Sequence, residues 1–114
     1  MKKIAVVIRK SPFNTLRNSE ALRMSVGLTL AENSVSVFFV DDGVYILLLN
    51  QPEIIKSPVI NKHIETLCLL NGKLIADEES LKERNLDNLK YKVAVMSSNE
   101  VFNMIEKSDV VICW

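Results

Sequence analysis

Hydrophobic and polar residues follow one another along this chain in blocks of two kinds. Short apolar blocks rich in β-branched residues lie at 3–8, 35–40, 73–76, 92–96 and 109–114. Such nearly continuous apolar runs predict buried strands of a parallel sheet that is covered on both faces. Blocks with helical spacing lie between them, at about 15–32, 60–70, 78–84 and 98–107. The alternation predicts an α/β three-layer sandwich with a five-stranded, mainly parallel sheet.

Local residues predict where several of these helices begin and end. Asp77 precedes a helical block and is typical of an N-cap, and 97–100 has the form of a capping box. Asn71-Gly72 is typical of a helix end. The apolar segment 44–49 directly follows a strand and a turn, which favours a helix over another strand. In the last helix, the spacing predicts three side chains that face the core: Val101, Phe102 and Ile105.

Glycine is scarce in this chain. At ordinary usage 114 residues would hold roughly eight glycines, whereas this sequence has three, Gly27, Gly43 and Gly72. No two of them lie close together. This excludes a P-loop and a dinucleotide-binding turn, because both motifs require clustered glycines. In the first helix, Leu30 is expected to widen the apolar face, and Gly27 interrupts the helix. It is either a tolerated surface glycine or a place where another helix, from this chain or a second subunit, approaches closely.

Size and charge narrow the class of protein further. A length of 114 residues predicts a single domain over 1–114. The 14 basic and 14 acidic residues cancel, so a broad nucleic-acid or anionic-membrane footprint is not expected. The apolar runs are too short for a signal peptide or a membrane span, which predicts a cytoplasmic protein. Two cysteines and one histidine form no metal-ligand pattern, and we expect neither a metal nor a cofactor.

Polar residues follow the predicted strands at their carboxyl ends, where parallel sheets bind ligands. We take these as candidate ligand-binding residues: Ser11, Asn14, Asp42, Asp77, Ser80, Ser97 and Ser98. Asp41 and Asp42 allow two interpretations, the acidic pair of a receiver domain or a turn. The turn is favoured, because a receiver pair follows the first strand and this pair follows the second.

Each cysteine has an ordinary explanation as a small buried apolar residue. Cys113 lies on the last predicted strand and Cys68 on an apolar helix face. A reactive thiolate requires a helix N-terminus or a nearby cation, and the sequence indicates neither beside these residues. Cys113 is retained as the one candidate nucleophile.

Two segments of the chain resemble a known family. The segment 34–45, SVSVFFVDDGVY, is similar to the V-x-V-F-F-x-x-D-G-V signature of the DsrE/DsrF-like (DsrEFH, TusBCD) sulfur-relay proteins. The segment 80–86, SLKERNL, is similar to S-L-R-E-R-G-L of the DsrF/TusC branch, and Ser11-Pro12 with the helix 17–30 resembles the start of that branch. The resemblance covers nearly the whole chain and implies an α/β/α fold that assembles into dimers, trimers or hexamers.

The resemblance also implies a chemistry and a position for it. Active members of the family carry persulfide sulfur on a cysteine shortly before the S-L-R-E-R-G string, for tRNA 2-thiolation or sulfur oxidation. The matching position in this chain is Ala76 or Asp77, and neither is cysteine. An aspartate there satisfies the N–H groups of a helix start but cannot accept or release sulfur.

Three functions follow. The first, which we favour, is a non-catalytic DsrF/TusC-like subunit that associates with a cysteine-bearing DsrE/TusD-like partner or with its own copies. The second is a sulfurtransferase that uses Cys113, or Cys68, provided that the fold exposes one of them. The third is a stand-alone homo-oligomer that binds a small ligand at the strand ends near Ser11, Asp77 and Ser98.

Overall fold

The predicted alternation of strands and helices is present in the protein. The computed structural model describes residues 2–9, 15–47, 58–86 and 93–113. The strands in these ranges are β1 (Lys3–Ile8), β2 (Ser34–Phe39), β3 (Lys73–Asp77), β4 (Ala94–Met96) and β5 (Val110–Cys113). The α-helices are α1 (Thr15–Leu30), α2 (Pro58–Leu69), α3 (Glu78–Glu83) and α4 (Ser98–Glu106), and a 3-10 helix covers Asp41–Leu47. The helix predicted at 44–49 is confirmed over its described part, and positions 48 and 49 lie outside the described residues.

The five strands form one sheet in the order β4-β3-β2-β1-β5, and every pairing is parallel. The chain moves in one direction from β1 to β4 and then returns across the sheet to β5. Because crossovers between parallel strands are right-handed, the first three crossover helices lie on one face and α4 lies on the other. The predicted three-layer α/β architecture with a five-stranded parallel sheet is confirmed.

Alternating side chains of the strands feed two separate cores, one on each face of the sheet. The larger core packs α1, α2 and α3 on one face through residues such as Leu22, Ile64 and Phe39. The smaller core lies under α4, where Phe38 and Ile75 meet Val101. Among the described elements, the nine-residue helix α4 is the one that packs on the second face.

The prediction that Phe102 faces the core is wrong, because α4 contacts the sheet along a narrow line. Val101 is buried and Ile105 is half-buried, as predicted, but Phe102 is 64% exposed. Val101 and Ile105 are one helical turn apart on the same side, whereas Phe102 is rotated away from that line. The predicted apolar role of Leu30 is wrong in the same way, since its side chain is 67% exposed in the last turn of α1.

Three helices are followed by a residue with left-handed backbone, a position that usually favours glycine. The residues that adopt left-handed backbone after these helices are Glu32, Asn71 and Asn85, with φ of 65°, 65° and 53°. The next N–H in each case donates to a carbonyl five residues earlier, from Asn33 to Leu28 (3.3 Å), Gly72 to Leu67 (2.8 Å) and Leu86 to Leu81 (3.0 Å). The helix end predicted at Asn71-Gly72 is confirmed, with asparagine in the left-handed position. Because residues other than glycine occupy these three left-handed positions, the chain needs fewer glycines.

Gly43 and Gly27 differ in what surrounds them. Gly43 is buried in the 3-10 helix, against the last residue of β1, and a Cβ there would strike the carbonyl oxygen of Ile8 and lie 2.9 Å from its carbonyl carbon. A Cβ on Gly27 would meet nothing within 4 Å. Close approach is therefore the reason for glycine at position 43. Within this chain, position 27 is a surface glycine.

Candidate functional site

Asp77 lies where β3 ends and α3 begins, at the carboxyl edge of the sheet. The residue is the N-cap of α3, as predicted, with extended backbone (φ −75°, ψ 119°). Its Oδ2 accepts a 3.1 Å hydrogen bond from the backbone N–H of Ser80 and a 2.6 Å bond from the Ser80 hydroxyl. Asp77 is 7% exposed and Ser80 is 3% exposed. The carboxylate is thus a buried structural acceptor for the first turn of α3.

The other carboxylate oxygen of Asp77 reaches the next crossover. Its Oδ1 accepts a 2.7 Å hydrogen bond from the hydroxyl of Ser98, in the first turn of α4. The two residues are brought together because β3 and β4 are neighbours, with Asp77 paired to Met96. One carboxylate therefore holds the starts of two helices.

The cluster extends to the end of β2 through Ser80. The Ser80 hydroxyl accepts a 2.9 Å hydrogen bond from the backbone N–H of Asp41, while it donates to Asp77. Asp41 has left-handed backbone, with φ of 49°. The ends of β2, β3 and β4 are thereby connected through Asp41, Asp77, Ser80 and Ser98. We call these four residues the strand-end cluster.

Two arginines form ion pairs with Asp41 and Asp42, the acidic residues that follow β2. Arg9 Nε lies 3.2 Å from Asp41 Oδ2, and Arg84 donates to Asp42 Oδ1 through Nε at 3.1 Å. Arg84 also donates to the Ser80 carbonyl at 3.2 Å, and its side chain is 19% exposed. Asp41 and Asp42 are exposed at the start of the 3-10 helix, where negative charge is favourable. This arrangement agrees with the turn interpretation rather than with a buried acidic pair.

Arg84 and the backbone of Asp41 are members of this site that the sequence analysis missed. Arg84 lies one helical turn after Ser80, and this spacing was the available signal, because residues four apart share a helix face. The contact between Ser80 and Asp41 joins residues 39 positions apart. That contact depends on the strand order and has no local signal.

The remaining candidate residues do not join the cluster. Ser97 is the N-cap of α4 and accepts a 3.3 Å hydrogen bond from the N–H of Glu100, as the predicted capping box requires. Asp42 is bound to Arg84, and Ala76 is a buried core residue on the opposite face of β3 from Asp77. Ser11 and Asn14 lie outside the described residues.

Both cysteines are exposed, contrary to the buried role expected for them. Cys113 ends the edge strand β5, and β1 and β2 separate that strand from β3, which corresponds to about 14 Å between the two strands. Cys68 lies on the outer side of α2. Burial and, secondarily, the charge of Glu65 raise the pKa of the Cys68 thiol, which reduces its thiolate fraction.

Within the described ranges, no helix is both long and apolar enough to cross a membrane.

Comparison with known proteins identifies a family and two relatives in it. The model of the DsrE/DsrF-like family matches residues 2–114. Protein TusC of Buchnera aphidicola subsp. Baizongia pistaciae (strain Bp) is 32% identical over 120 aligned positions, which cover 98% of each chain. Protein TusC of Buchnera aphidicola subsp. Acyrthosiphon pisum (strain 5A) is 36% identical over 90 positions, covering 77% of this chain and 76% of the relative.

A solved structure shares the fold. The crystal structure of the YchN protein from E. coli superimposes with a TM-score of 0.85 over the full length of both chains, at 20% sequence identity. At this identity the likeness concerns the fold alone, and it supports the five-stranded α/β arrangement.

Proposed function

This chain belongs to the DsrE/DsrF-like family, and we propose that it serves as a non-catalytic, TusC-like subunit of a cytoplasmic sulfur-relay assembly. In this role it shapes a complex in which a cysteine-bearing DsrE/TusD-like partner carries the persulfide sulfur. The observation that carries the proposal is the bonding of Asp77, which with Ala76 is one of the two positions at which the family resemblance expects the sulfur-carrying cysteine.

The chemistry of Asp77 supports a structural role. A carboxylate offers no sulfur atom on which a persulfide can form. Its oxygens accept hydrogen bonds from Ser80 and Ser98, and the side chain is buried. The donors that would stabilise a thiolate at this helix start are therefore already bound to an internal anion.

The hydrogen bonds within the strand-end cluster also argue against the small-ligand alternative. The side chains of Asp77, Ser80 and Ser98 lie together, but they form hydrogen bonds with one another. A ligand would have to displace buried hydrogen bonds to reach them, which costs free energy for each group left unpaired.

A second candidate function is a sulfurtransferase that uses Cys113. The exposure of this residue favours it, together with its position at the carboxyl end of β5, the same edge of the sheet as Asp77. In this alternative the sulfur carrier moves from β3 to the edge strand. Cys68 is a poorer carrier, because its pKa is raised.

Affinity purification of the tagged chain from its source organism tests the subunit role. We expect a cysteine-bearing relative to co-purify in a fixed ratio, and light scattering to give a mass above that of one chain. A monomer both alone and in the presence of the relative would contradict the proposal.

A further inference from the structure

A second polar site lies at the end of the sheet opposite the strand-end cluster. A cavity of about 180 Å³ opens at the amino ends of the strands, under the C-terminal end of α4. Its described lining includes three lysines from three different elements, Lys3 of β1, Lys73 of β3 and Lys107 after α4. Ser34 and Ser36 of β2 lie between the strand lysines, and Phe38 contributes an apolar wall.

The strand register explains this convergence. Lys3 pairs with Ser34, and Ser36 pairs with Lys73, so these four residues share one face of three adjacent strands. Further along the same face the pattern becomes apolar, with Ala5, Phe38 and Ile75 under α4. Polar residues thus replace the core at one end of the part of this sheet face that packs under α4, which is where the cavity lies.

The lysines of this cavity have no ion-pair partner among the described residues. In the described part of the protein, no ion pair joins Lys3, Lys73 or Lys107 to a carboxylate. Asp109 is close by, but it accepts a 2.8 Å hydrogen bond from the backbone N–H of Lys3, not from its ammonium group. Three exposed lysines and one neighbouring carboxylate, that of Asp109, give the cavity an excess of positive charge in a chain of zero net charge.

Hydroxyl donors complete the lining. Ser34 and Ser36 are half-buried, and no hydrogen bond of their hydroxyls occurs among the described residues. Half-buried hydroxyls next to ammonium groups form the donor set that binds phosphate-like oxygens, with lysine acting as a point charge.

We propose that this cavity binds a small tetrahedral oxyanion, such as inorganic phosphate or sulfate or the phosphate group of a small metabolite. The volume sets the size, because cavities for larger organic ligands run from about 300 to 1,000 Å³. The site is independent of the sulfur-relay proposal, since it shares no residue with the strand-end cluster and lies at the other end of the strands.

The test is an NMR titration of the full chain, labelled on its amides, with inorganic phosphate at constant ionic strength. Parallel titrations use sulfate and a sugar phosphate, which distinguish the source of the oxyanion. We expect saturable shifts at residues 34–36, 73 and 107–108. Lys73→Gln should weaken binding by about tenfold or more, the effect of removing a charged hydrogen-bond donor, and Ser36→Ala by a smaller factor.

Lys82→Gln is the matched control, because Lys82 pairs with Glu78 on α3, away from the cavity. It should leave the affinity unchanged. Non-saturating shifts, or an equal loss of affinity in Lys82→Gln and Lys73→Gln, would overturn the proposal. So would shifts of the same amides by a short RNA oligonucleotide without any effect of the three small anions.

Discussion

The hydroxyl of Ser98 donates a 2.7 Å hydrogen bond to Asp77, across 21 positions of sequence. This bond joins the first turn of α4 to the end of β3, while the same carboxylate caps α3 through Ser80. An aspartate at this position therefore stabilises the edge of the sheet at which the family resemblance expects a reactive cysteine.

Asp77→Ala should lower the free energy of unfolding by about 2–3 kcal/mol, because it removes a helix cap and leaves the hydroxyl of Ser80 buried without an acceptor. Urea denaturation measures this change. The control is Glu79→Ala, an exposed neighbour in the first turn of α3, which should cost no more than about 1 kcal/mol. Equal stability of the two variants would show that Asp77 is not a structural anchor.

Gly43→Ala and Gly27→Ala should change stability in opposite directions. At position 43 the new Cβ strikes the backbone of Ile8, and overpacking of this kind costs about 1–3 kcal/mol. At position 27 the Cβ meets open space in a helix, where alanine should gain about 0.5–1 kcal/mol over glycine. Thermal melts of the two variants check this, and destabilisation by Gly27→Ala would place an unseen close contact at that helix.

Val101 and Phe102 are neighbours on α4 with opposite roles. Val101 is 5% exposed in the smaller core, so Val101→Ala should cost about 1–2 kcal/mol. Phe102 is 64% exposed, so Phe102→Ala should change the stability of the isolated chain by less than about 0.5 kcal/mol. Denaturation of both variants at low protein concentration measures the difference. A larger loss in Phe102→Ala would contradict the orientation of α4.

His63 gives stability a dependence on pH. Burial, and then the positive charges of Arg23 and Lys62, lower the pKa of His63 from its ordinary value of 6.5. The folded state therefore binds this proton less readily than the unfolded state does. The stability gained by a neutral His63 is present above pH 6.5 and is lost as the pH falls through the lowered pKa.

The variant His63→Gln isolates this contribution from other titrating groups. Melting temperatures from about pH 7.5 to about pH 5.5 span the range in which histidine titrates. The original chain should lose more stability over this range than His63→Gln. Identical slopes in the two proteins would refute a lowered pKa at His63.

Much of the fold could be predicted because burial on both faces of a parallel sheet leaves apolar runs that stand out. The strand 3–8 is an example, and its observed bounds are Lys3–Ile8. The spacing of apolar residues does not determine how wide the buried face of a helix is, since this width depends on how many helices cover a sheet face. For this reason the spacing predicts a core position for Phe102, which the structure exposes.

The site was predictable only where its contacts are local. The cap formed by Asp77 on Ser80 spans three positions and has a known sequence pattern. Its bond to Ser98 and the bond from Asp41 to Ser80 require the order of the strands, which local patterns do not supply. The exposure of Cys113 likewise follows from the edge position of β5.

The most direct test of the subunit proposal asks where the sulfur resides. The purified complex and the chain alone are incubated with a cysteine desulfurase and cysteine, trapped with an alkylating reagent and analysed by mass spectrometry. The subunit role predicts added sulfur on the partner's cysteine, none on Cys113 or Cys68, and an unchanged relay rate in Cys113→Ser. Added sulfur on Cys113, together with loss of transfer in Cys113→Ser, would contradict it.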